Sequence, residues 1–280
     1  MLGGLASELR HHRLALAGSA LLGVVALMAV LAPIVAPHDP LAQDLYRRLQ
    51  PPSLRHPLGT DDFGRDIASR IVYGARISLR VGLVSIGLAL ACGSTLGLVA
   101  GYRGGWADLA IMRAMDVMLA FPSILLAIAI VAVLGPGLDQ VMVAVSLVMV
   151  PQYARLVRAA VLSIREMPYV EAARALGAGE ARIVWGTILP NCAAPLVVQS
   201  TLSLGTAILD AAGLSFLGLG AQPPTPEWGA MLSGGRELML KAPWVTAFPG
   251  LAIFLVVLSL NLVGDGLRDA LDPRRQQRGG

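Results

Sequence analysis

The run VGLVSIGLALACGSTLGLVAGY, residues 81–102, contains no charged side chain over its whole length. A helix of about 20 apolar residues is long enough to cross the roughly 30 Å of hydrocarbon in a bilayer. The rest of the chain has the same character, because its 280 residues are 55% hydrophobic and only 14% charged, with a mean hydropathy of +0.68. Soluble domains carry about 25% charged residues. The composition therefore excludes a soluble fold and indicates a membrane protein.

Further charge-free runs along the chain predict an all-α membrane protein, a polytopic bundle of about six transmembrane helices. The fourth run is short, but Gly-Pro-Gly at 135–137 predicts a tight turn that joins it to the third run as a helical hairpin. The six predicted spans are residues 14–37, 81–102, 117–138, 140–154, 183–209 and 242–264.

Arginine supplies nearly all of the positive charge, since Lys241 is the only lysine, and its distribution predicts the orientation. Most arginines outside the long 38–80 connection fall in segments that share one side of the membrane. Because positive residues stay in the cytoplasm, the N-terminus and the C-terminus are both predicted to be cytoplasmic. The first span could instead be a cleaved signal peptide, but its apolar core is longer than the 7–15 residues typical of one.

Several kinds of chemistry have no sequence pattern to support them. A Walker A motif, GxxxxGK[ST], is missing, so the chain is not expected to bind ATP in that manner by itself. No zinc-protease motif and no nucleophile paired with a base is evident, so no catalytic residue is predicted. The spacing of Asp61, Asp62 and Asp66 does not fit calcium coordination, and no metal site is predicted. Binding to nucleic acid is not predicted either.

Asp210 is the one carboxylate within an otherwise apolar stretch, and two interpretations remain open. An intramembrane carboxylate is a candidate proton or ion site, which would make the chain an ion-coupled secondary transporter. However, a count of about 20 residues from Ala193 places Asp210 near the outer end of its span, where its side chain reaches water.

The segment 154–190 has the features of a short helix built to contact something else. Pro168 suits the first position of a helix, Glu171 falls in its first turn and Gly177 predicts a left-handed end. The predicted helix, residues 168–176, is too short to be stable alone in water. Its apolar stripe packs either on a separate protein, or on the chain's own helices or the lipid headgroups; the stripe is Tyr169, Ala172, Ala173 and Leu176.

These residues also carry a family resemblance. Glu171-Ala172-Ala173, followed by Gly177 and by Leu189-Pro190, resembles the EAA signature of permease subunits from ABC importers. Further motifs are similar to the C-type permease of the branch that imports dipeptides, oligopeptides and nickel. They are HPLGTDDFGRD (56–66), GARISLRVG (74–82), LSFLGLG (214–220), PPTPEWG (223–229) and GDGLRDALDPR (264–274). Thr187 departs from the pattern, because many relatives have histidine there.

The resemblance implies a transport subunit of the bacterial cytoplasmic (inner) membrane, without catalytic activity of its own. It would form half of an alternating-access pore with a homologous B-type permease, above one or two cytoplasmic ATPase subunits that use ATP and Mg²⁺. An extracytoplasmic binding protein would deliver the substrate. The expected substrate is a di- or oligopeptide; nickel or another small solute is the alternative. The resemblance also suggests an N-terminal region, 1–80, and a permease core, 81–280, with the EAA loop near 165–190.

The resemblance assigns expected roles to particular residues. The segment 168–176 becomes a coupling helix that docks in an ATPase, with Glu171 and Arg174 as its polar rim and Gly177 as the turn that presents it. In the long 38–80 connection, Thr60 and Asp61 predict a helix N-terminus, and helical spacing over 65–79 predicts an interfacial helix. The predicted landing surface for the binding protein is Asp61, Asp62, Arg65 and Asp66. The predicted pore or gate residues are Asp210, Phe216 and Leu217.

Overall fold

A computed structural model of the chain describes residues 13–271, which are helical without any β-strand. The predictions that rest on residues 1–12 and 272–280 lie outside the described residues. The helices are α1 (Arg13–Val30), α2 (Ala32–Val35), α3 (Ile67–Arg103), α4 (Gly105–Leu119), α5 (Ser123–Leu134), α6 (Leu138–Ile164), α7 (Pro168–Ala175), α8 (Glu180–Ile183), α9 (Leu189–Asn191), α10 (Ala193–Phe216), α11 (Trp228–Gly235) and α12 (Trp244–Leu271).

The structure has five to six elements that could span a membrane, in line with the predicted bundle of about six, but the third span differs from its prediction. α1, α3, α6, α10 and α12 are each long and apolar enough to cross a membrane. α4 and α5, which are bent by 97° at a short break, together have the length and composition of a sixth crossing. Pro122 lies in that break, and a helix seldom continues through the residue before a proline. The charge-free run 117–138 is therefore two helices rather than one.

Successive crossings run in alternate directions, which gives the bundle two ends. α3 begins beside α11, where the Trp228 indole donates to the carbonyl oxygen of Ile71, and it ends beside α7. We call these the α11 end and the α7 end. Gly137, in the predicted hairpin turn, donates to Leu219 at the α11 end with an N–O distance of 2.9 Å. With six crossings, the first and last described residues both lie at the α7 end.

α3 is a single helix of 37 residues, about 55 Å long at 1.5 Å per residue. Its N-cap is Asp66, whose carboxylate accepts from the Ser69 N–H at 2.8 Å. The prediction of a separate interfacial helix, capped by Thr60 and Asp61, is therefore wrong. The arginines in the first turns of α3 interrupt the charge-free run but not the helix. Arg70 is buried there, and its guanidinium donates to the carbonyl oxygen of Pro40 at 3.1 Å.

Small residues let α3 and α6 pack closely. Gly93, Gly97 and Gly101 lie along one face of α3, and a Cβ at these positions would meet Tyr153, Ala154 and Val161 of α6 respectively. Glycines four residues apart allow such close approach between membrane helices. At the α7 end of this contact, a buried apolar cluster joins Leu98 of α3 to residues between 157 and 192. We call it the α7-end cluster; its buried members are Leu98, Val157, Val161, Val170, Ile183, Ile188 and Cys192.

Candidate functional site

The short helix α7 forms where the sequence predicts it. Met167 is extended, Pro168 occupies the first turn and Glu171 places a negative charge near the helix N-terminus. The helix ends at Ala175, and Gly177 after it has a φ of +81°, while the N–H of Ala178 donates to the carbonyl oxygen of Ala173 at 3.0 Å. Left-handed backbone of this kind favours glycine, and no atom lies near enough to obstruct a Cβ at Gly177.

One side of α7 is anchored in the permease bundle and the other faces solvent. Val170 is fully buried in the α7-end cluster, and no sequence pattern singled it out. On the opposite side, Leu176 is 88% exposed, Tyr169 is 46% exposed and Ala172 is also exposed. The sequence signal that could have identified Val170 as the anchor is that it is the only β-branched residue between Pro168 and Leu176. Val170 is thus the fully buried anchor of a helix of 8 residues, while an apolar surface on the other side remains uncovered.

Two details differ from the predicted knob. Ala173 is half-buried and packs against the α7-end cluster, so it belongs to the anchoring side rather than to the exposed stripe. Leu176, the predicted last residue of the helix, is its C-cap, and the helix itself ends at Ala175. Glu171 and Arg174 are both exposed, as expected of a polar rim. We define the α7 docking face as the exposed residues Tyr169, Glu171, Ala172, Arg174 and Leu176.

Polar contacts join the segments around α7 to the membrane helices. The Arg165 guanidinium, just before α7, donates from Nη1 to the carbonyl oxygen of Gly101 at 3.0 Å. The Tyr102 hydroxyl, at the end of α3, donates to the carboxylate of Glu180 in α8. α4 is joined to α6 through Arg158, whose guanidinium donates to both carboxylate oxygens of Asp108 at 2.5 and 2.6 Å.

The second part of the EAA-like signature lies at the start of the α10 crossing. Leu189 and Pro190 are in α9, after a π-helical turn, Val184–Ile188, that contains Thr187. Pro190 is exposed, and Leu189 is half-buried beside Trp185, which is 65% exposed. Leu189 and Trp185 line an apolar cavity of about 610 Å³ between α3 and α10. Because α10 begins at Ala193, the fifth crossing starts later than the predicted residue 183.

Three of the four residues of the predicted landing surface are buried. Asp61, Arg65 and Asp66 are 5%, 8% and 2% exposed, because the loop uses them internally. Asp61 accepts from the N–H groups of Phe63 and Arg65 and from Arg65 Nε at 2.7 Å. Only the Asp62 side chain is substantially exposed, and partial burial together with the neighbouring Asp61 charge raises its pKa. These charges pair with neighbouring backbone groups and with each other, and docking of a binding protein on them stays a prediction.

The structure does not bring the three predicted pore residues together at a single site. Asp210 is half-buried in the last third of α10, toward the α11 end. Phe216, 38% exposed, ends α10 and lines an apolar groove of about 650 Å³ between α10 and α12. Leu217 is 57% exposed in the turn that follows. A role for these residues in a pore or gate stays a prediction.

Comparison with known protein families decides what this arrangement belongs to. Residues 93–277 match the family of the binding-protein-dependent transport system inner membrane component. Residues 5–52 match the N-terminal transmembrane domain of oligopeptide transport permease C. The chain belongs to this permease family. The resemblance read from its motifs is thereby confirmed, including the C-type branch.

Relatives of the permease are similar over almost its whole length. It is 54% identical over 267 residues to a dipeptide transport system permease of Alkalihalophilus pseudofirmus, covering 95% of this chain and 88% of the relative. It is 52% identical to a di/tripeptide transport permease of Pseudomonas aeruginosa, covering 94% and 89% of the two chains. A glutathione transport permease of Pectobacterium atrosepticum is 51% identical, with 95% and 88% covered.

Solved structures of ABC transporters share the fold of the permease. A chain of the MetNI methionine ABC transporter, in an inward-facing conformation, superposes with a TM-score of 0.57 at 23% identity; it covers 72% of this chain and 97% of that one. An amino acid ABC transporter chain gives a TM-score of 0.53 at 14% identity, with 72% and 94% covered. The permease is therefore a multi-pass inner-membrane protein of an ABC transporter assembly with other subunits.

Proposed function

We propose that the permease forms half of the translocation pore of an importer for di- or oligopeptides. A homologous B-type permease supplies the other half, and an extracytoplasmic binding protein delivers substrate at the α11 end. The observation that best supports a peptide substrate is the identity above 50% to two permeases named for dipeptide and di/tripeptide transport. The glutathione permease at 51% identity favours the same class, since glutathione is itself a small peptide.

In this proposal the α7 docking face is the contact with a cytoplasmic ATPase. An exposed apolar stripe on a helix of 8 residues gains stability when a groove covers it, and the rim of Glu171 and Arg174 fixes its orientation. The α7 end is then cytoplasmic, and so are both termini. The ATPase subunits bind and hydrolyse ATP with Mg²⁺, and the permease itself is not catalytic.

Coupling in this proposal is mechanical. Nucleotide binding closes the two ATPases and displaces each docked α7. Val170 and the Arg165–Gly101 hydrogen bond carry that displacement to the ends of α6 and α3, so the helices rock between two arrangements. The free energy for the change comes from the nucleotide, because the ligand must favour one of the two states.

The experiment is uptake by the reconstituted complex. The permease is placed in proteoliposomes with its B-type partner, ATPases and binding protein, and uptake of a labelled dipeptide, a labelled tripeptide and a nickel chelate is compared with and without ATP. We expect ATP-dependent peptide uptake that competes with unlabelled peptide. Uptake of the nickel chelate alone would contradict the peptide substrate. Uptake by the permease without companions would contradict the whole proposal.

A further inference from the structure

Two histidines and one carboxylate meet at the α11 end, on a part of the loop that the proposed function does not use. His38 follows α2, His56 lies in the long connection, and Asp66 caps α3. The Asp66 Oδ1 atom is 2.9 Å from His56 Nδ1 and 3.7 Å from His38 Nδ1. One ligand atom from each residue lies within 4.8 Å of the other two. The three side chains could therefore share a single ion.

The imidazoles have buried nitrogen atoms that nothing in residues 13–271 satisfies. His38 Nδ1 and His56 Nε2 lack a hydrogen-bond partner within the described chain. The His56 side chain is only 9% exposed and that of Asp66 only 1%. Leaving a buried polar atom unpaired costs about 1–3 kcal/mol, so such atoms call for an explanation. A cation bound by His38 Nδ1 would use one of these lone pairs.

The spacing and the chemistry of the donors fit a zinc-type ion. With bonds of about 2.0–2.1 Å, ligands at a tetrahedral zinc are roughly 3.3–3.4 Å apart. The two separations from Asp66 Oδ1, 2.9 and 3.7 Å, lie on either side of that value. Imidazole suits zinc and its neighbours in the transition series, whereas calcium and magnesium prefer all-oxygen sites. Three protein ligands leave a fourth position for water.

The surroundings hold the carboxylate and leave a route for the ion. Asp66 Oδ2 accepts from the Ser69 N–H at 2.8 Å and from the Ser69 hydroxyl at 2.7 Å, which leaves Oδ1 turned to the histidines. The Ser69 Oγ atom also accepts from the His38 N–H at 2.9 Å. Such outer contacts orient metal ligands. His38 lines an open cavity of about 950 Å³, through which an ion and its water could reach the site.

We infer that His38, His56 and Asp66 bind a zinc-class divalent ion at the α11 end of the permease. The ion joins three separate pieces of chain: the segment after α2, the long connection and the N-terminus of α3. Its role is structural, because it ties the loop to a membrane helix. It carries no step of transport. The inference stands apart from the proposed function, since it requires neither a peptide substrate nor an ATPase.

Zinc chloride titration of the purified full chain tests this inference. The chain is prepared in lipid nanodiscs with a tag that lacks histidine and cysteine, and is treated with a chelator beforehand. We expect elemental analysis by mass spectrometry to find one zinc per chain. When cobalt(II) replaces zinc, the visible absorption spectrum should show the d–d bands typical of tetrahedral cobalt. His38→Ala and His56→Ala should each weaken zinc binding by more than about 100-fold, beyond the 10–100-fold typical of an outer-contact change such as Ser69→Ala.

Matched controls separate this site from the other histidines and carboxylates of the chain. A double variant, His11→Ala with His12→Ala, removes the remaining histidines and should bind zinc as the wild type does. Asp62→Asn changes a neighbouring carboxylate outside the cluster and should also bind normally. His38→Ala is the informative ligand variant, because the His38 side chain is 34% exposed and tolerates truncation. Absence of stoichiometric zinc in the wild type, or unchanged binding in folded His38→Ala, would overturn the inference.

Discussion

Arg165 Nη1 donates a 3.0 Å hydrogen bond to the carbonyl oxygen of Gly101, and so joins the C-cap of α6, three residues before α7, to the last turn of α3. Because α3 runs from that point to the α11 end as one helix of 37 residues, a displacement of α7 reaches the far end of the bundle through a continuous element. Val170 makes the second attachment, inside the α7-end cluster. Together the two attachments link the α7 segment to α3 and α6, so that a movement of α7 is passed to both helices.

Val170→Ala should destabilise the permease, because the side chain is fully buried. Two methyl groups removed from a packed site cost about 2 kcal/mol, and the thermal unfolding midpoint of the detergent-solubilised chain should fall accordingly. Leu176→Ala is the control on the exposed side, where the side chain is 88% exposed, and it should leave the midpoint unchanged. Equal effects of the two substitutions would contradict the assignment of an anchoring side and a free side.

Asp61→Asn should damage folding rather than binding-protein docking. The substitution leaves the Arg65 guanidinium, 10% exposed, without the countercharge that lies 2.7 Å away. Removing one partner of a buried ion pair costs about 3–5 kcal/mol. Asp62→Asn is the matched control, since that side chain is 33% exposed and should tolerate the change. A stable Asp61→Asn protein that had lost only its binding-protein response would restore the landing surface.

Glu227 should make stability depend on pH. It is 3% exposed and caps α11, accepting from the N–H groups of Gly229 and Ala230 at 3.0 and 2.8 Å, and burial raises its pKa despite these bonds. The folded state then holds a proton that the unfolded state has already released. Its stabilising contribution is full below the ordinary glutamate pKa and is lost as the pH rises through the raised value.

The measurement for Glu227 is a series of unfolding midpoints over that pH range. We expect Glu227→Gln to flatten the decline seen in the wild type, because an amide does not titrate. Glu237→Gln is the control, since the Glu237 side chain is 84% exposed. A wild-type stability that rose with pH through this window would show that the carboxylate is ionised when folded.

Asp210→Asn should preserve ATP-driven uptake in the reconstituted complex. Asp210 is half-buried near the α11 end of α10, and an ABC importer draws its free energy from nucleotide rather than from an ion gradient. Initial rates should stay within about twofold of the wild type, which is about 0.4 kcal/mol in activation free energy. Complete loss of uptake, together with transport driven by a pH gradient alone, would favour the ion-coupled alternative.

The sequence predicted α7 well because its signals are local. Pro168 and Gly177 each act on their own backbone, so the helix begins at the predicted residue and ends one residue before the predicted end. The side on which α7 anchors was not predicted, because it depends on how Val157 and Val161 of α6 meet Val170 in space. Periodicity favoured a stripe of four residues and gave no reason to separate Ala173 from the other three.

At the α11 end, the distribution of charged residues led to wrong predictions about where α3 begins and which side chains are exposed. A charge-free run marks where lipid surrounds a helix, whereas helix α3 continues through Arg70, Arg76 and Arg80 outside that run. Aspartates near a helix start suggested a surface, yet Asp61 accepts from the loop N–H of Arg65 and Asp66 accepts from the N–H of Ser69 in α3. The proximity of His38 to Asp66 could not be predicted from the sequence, because only the folded connection brings those residues together.

The most direct test of coupling through α7 compares Gly177→Val with Gly179→Val. Gly177 has a φ of +81°, which valine resists, whereas Gly179 has a φ of −67°; neither position has an atom that obstructs a Cβ. ATP hydrolysis and peptide uptake are measured on the same proteoliposomes. We predict that Gly177→Val keeps the assembled complex in the membrane but loses at least about tenfold in peptide taken up per ATP, roughly 1.4 kcal/mol of coupling, while Gly179→Val resembles the wild type. Undiminished uptake per ATP in Gly177→Val would contradict the claim that α7 transmits the nucleotide cycle to the pore.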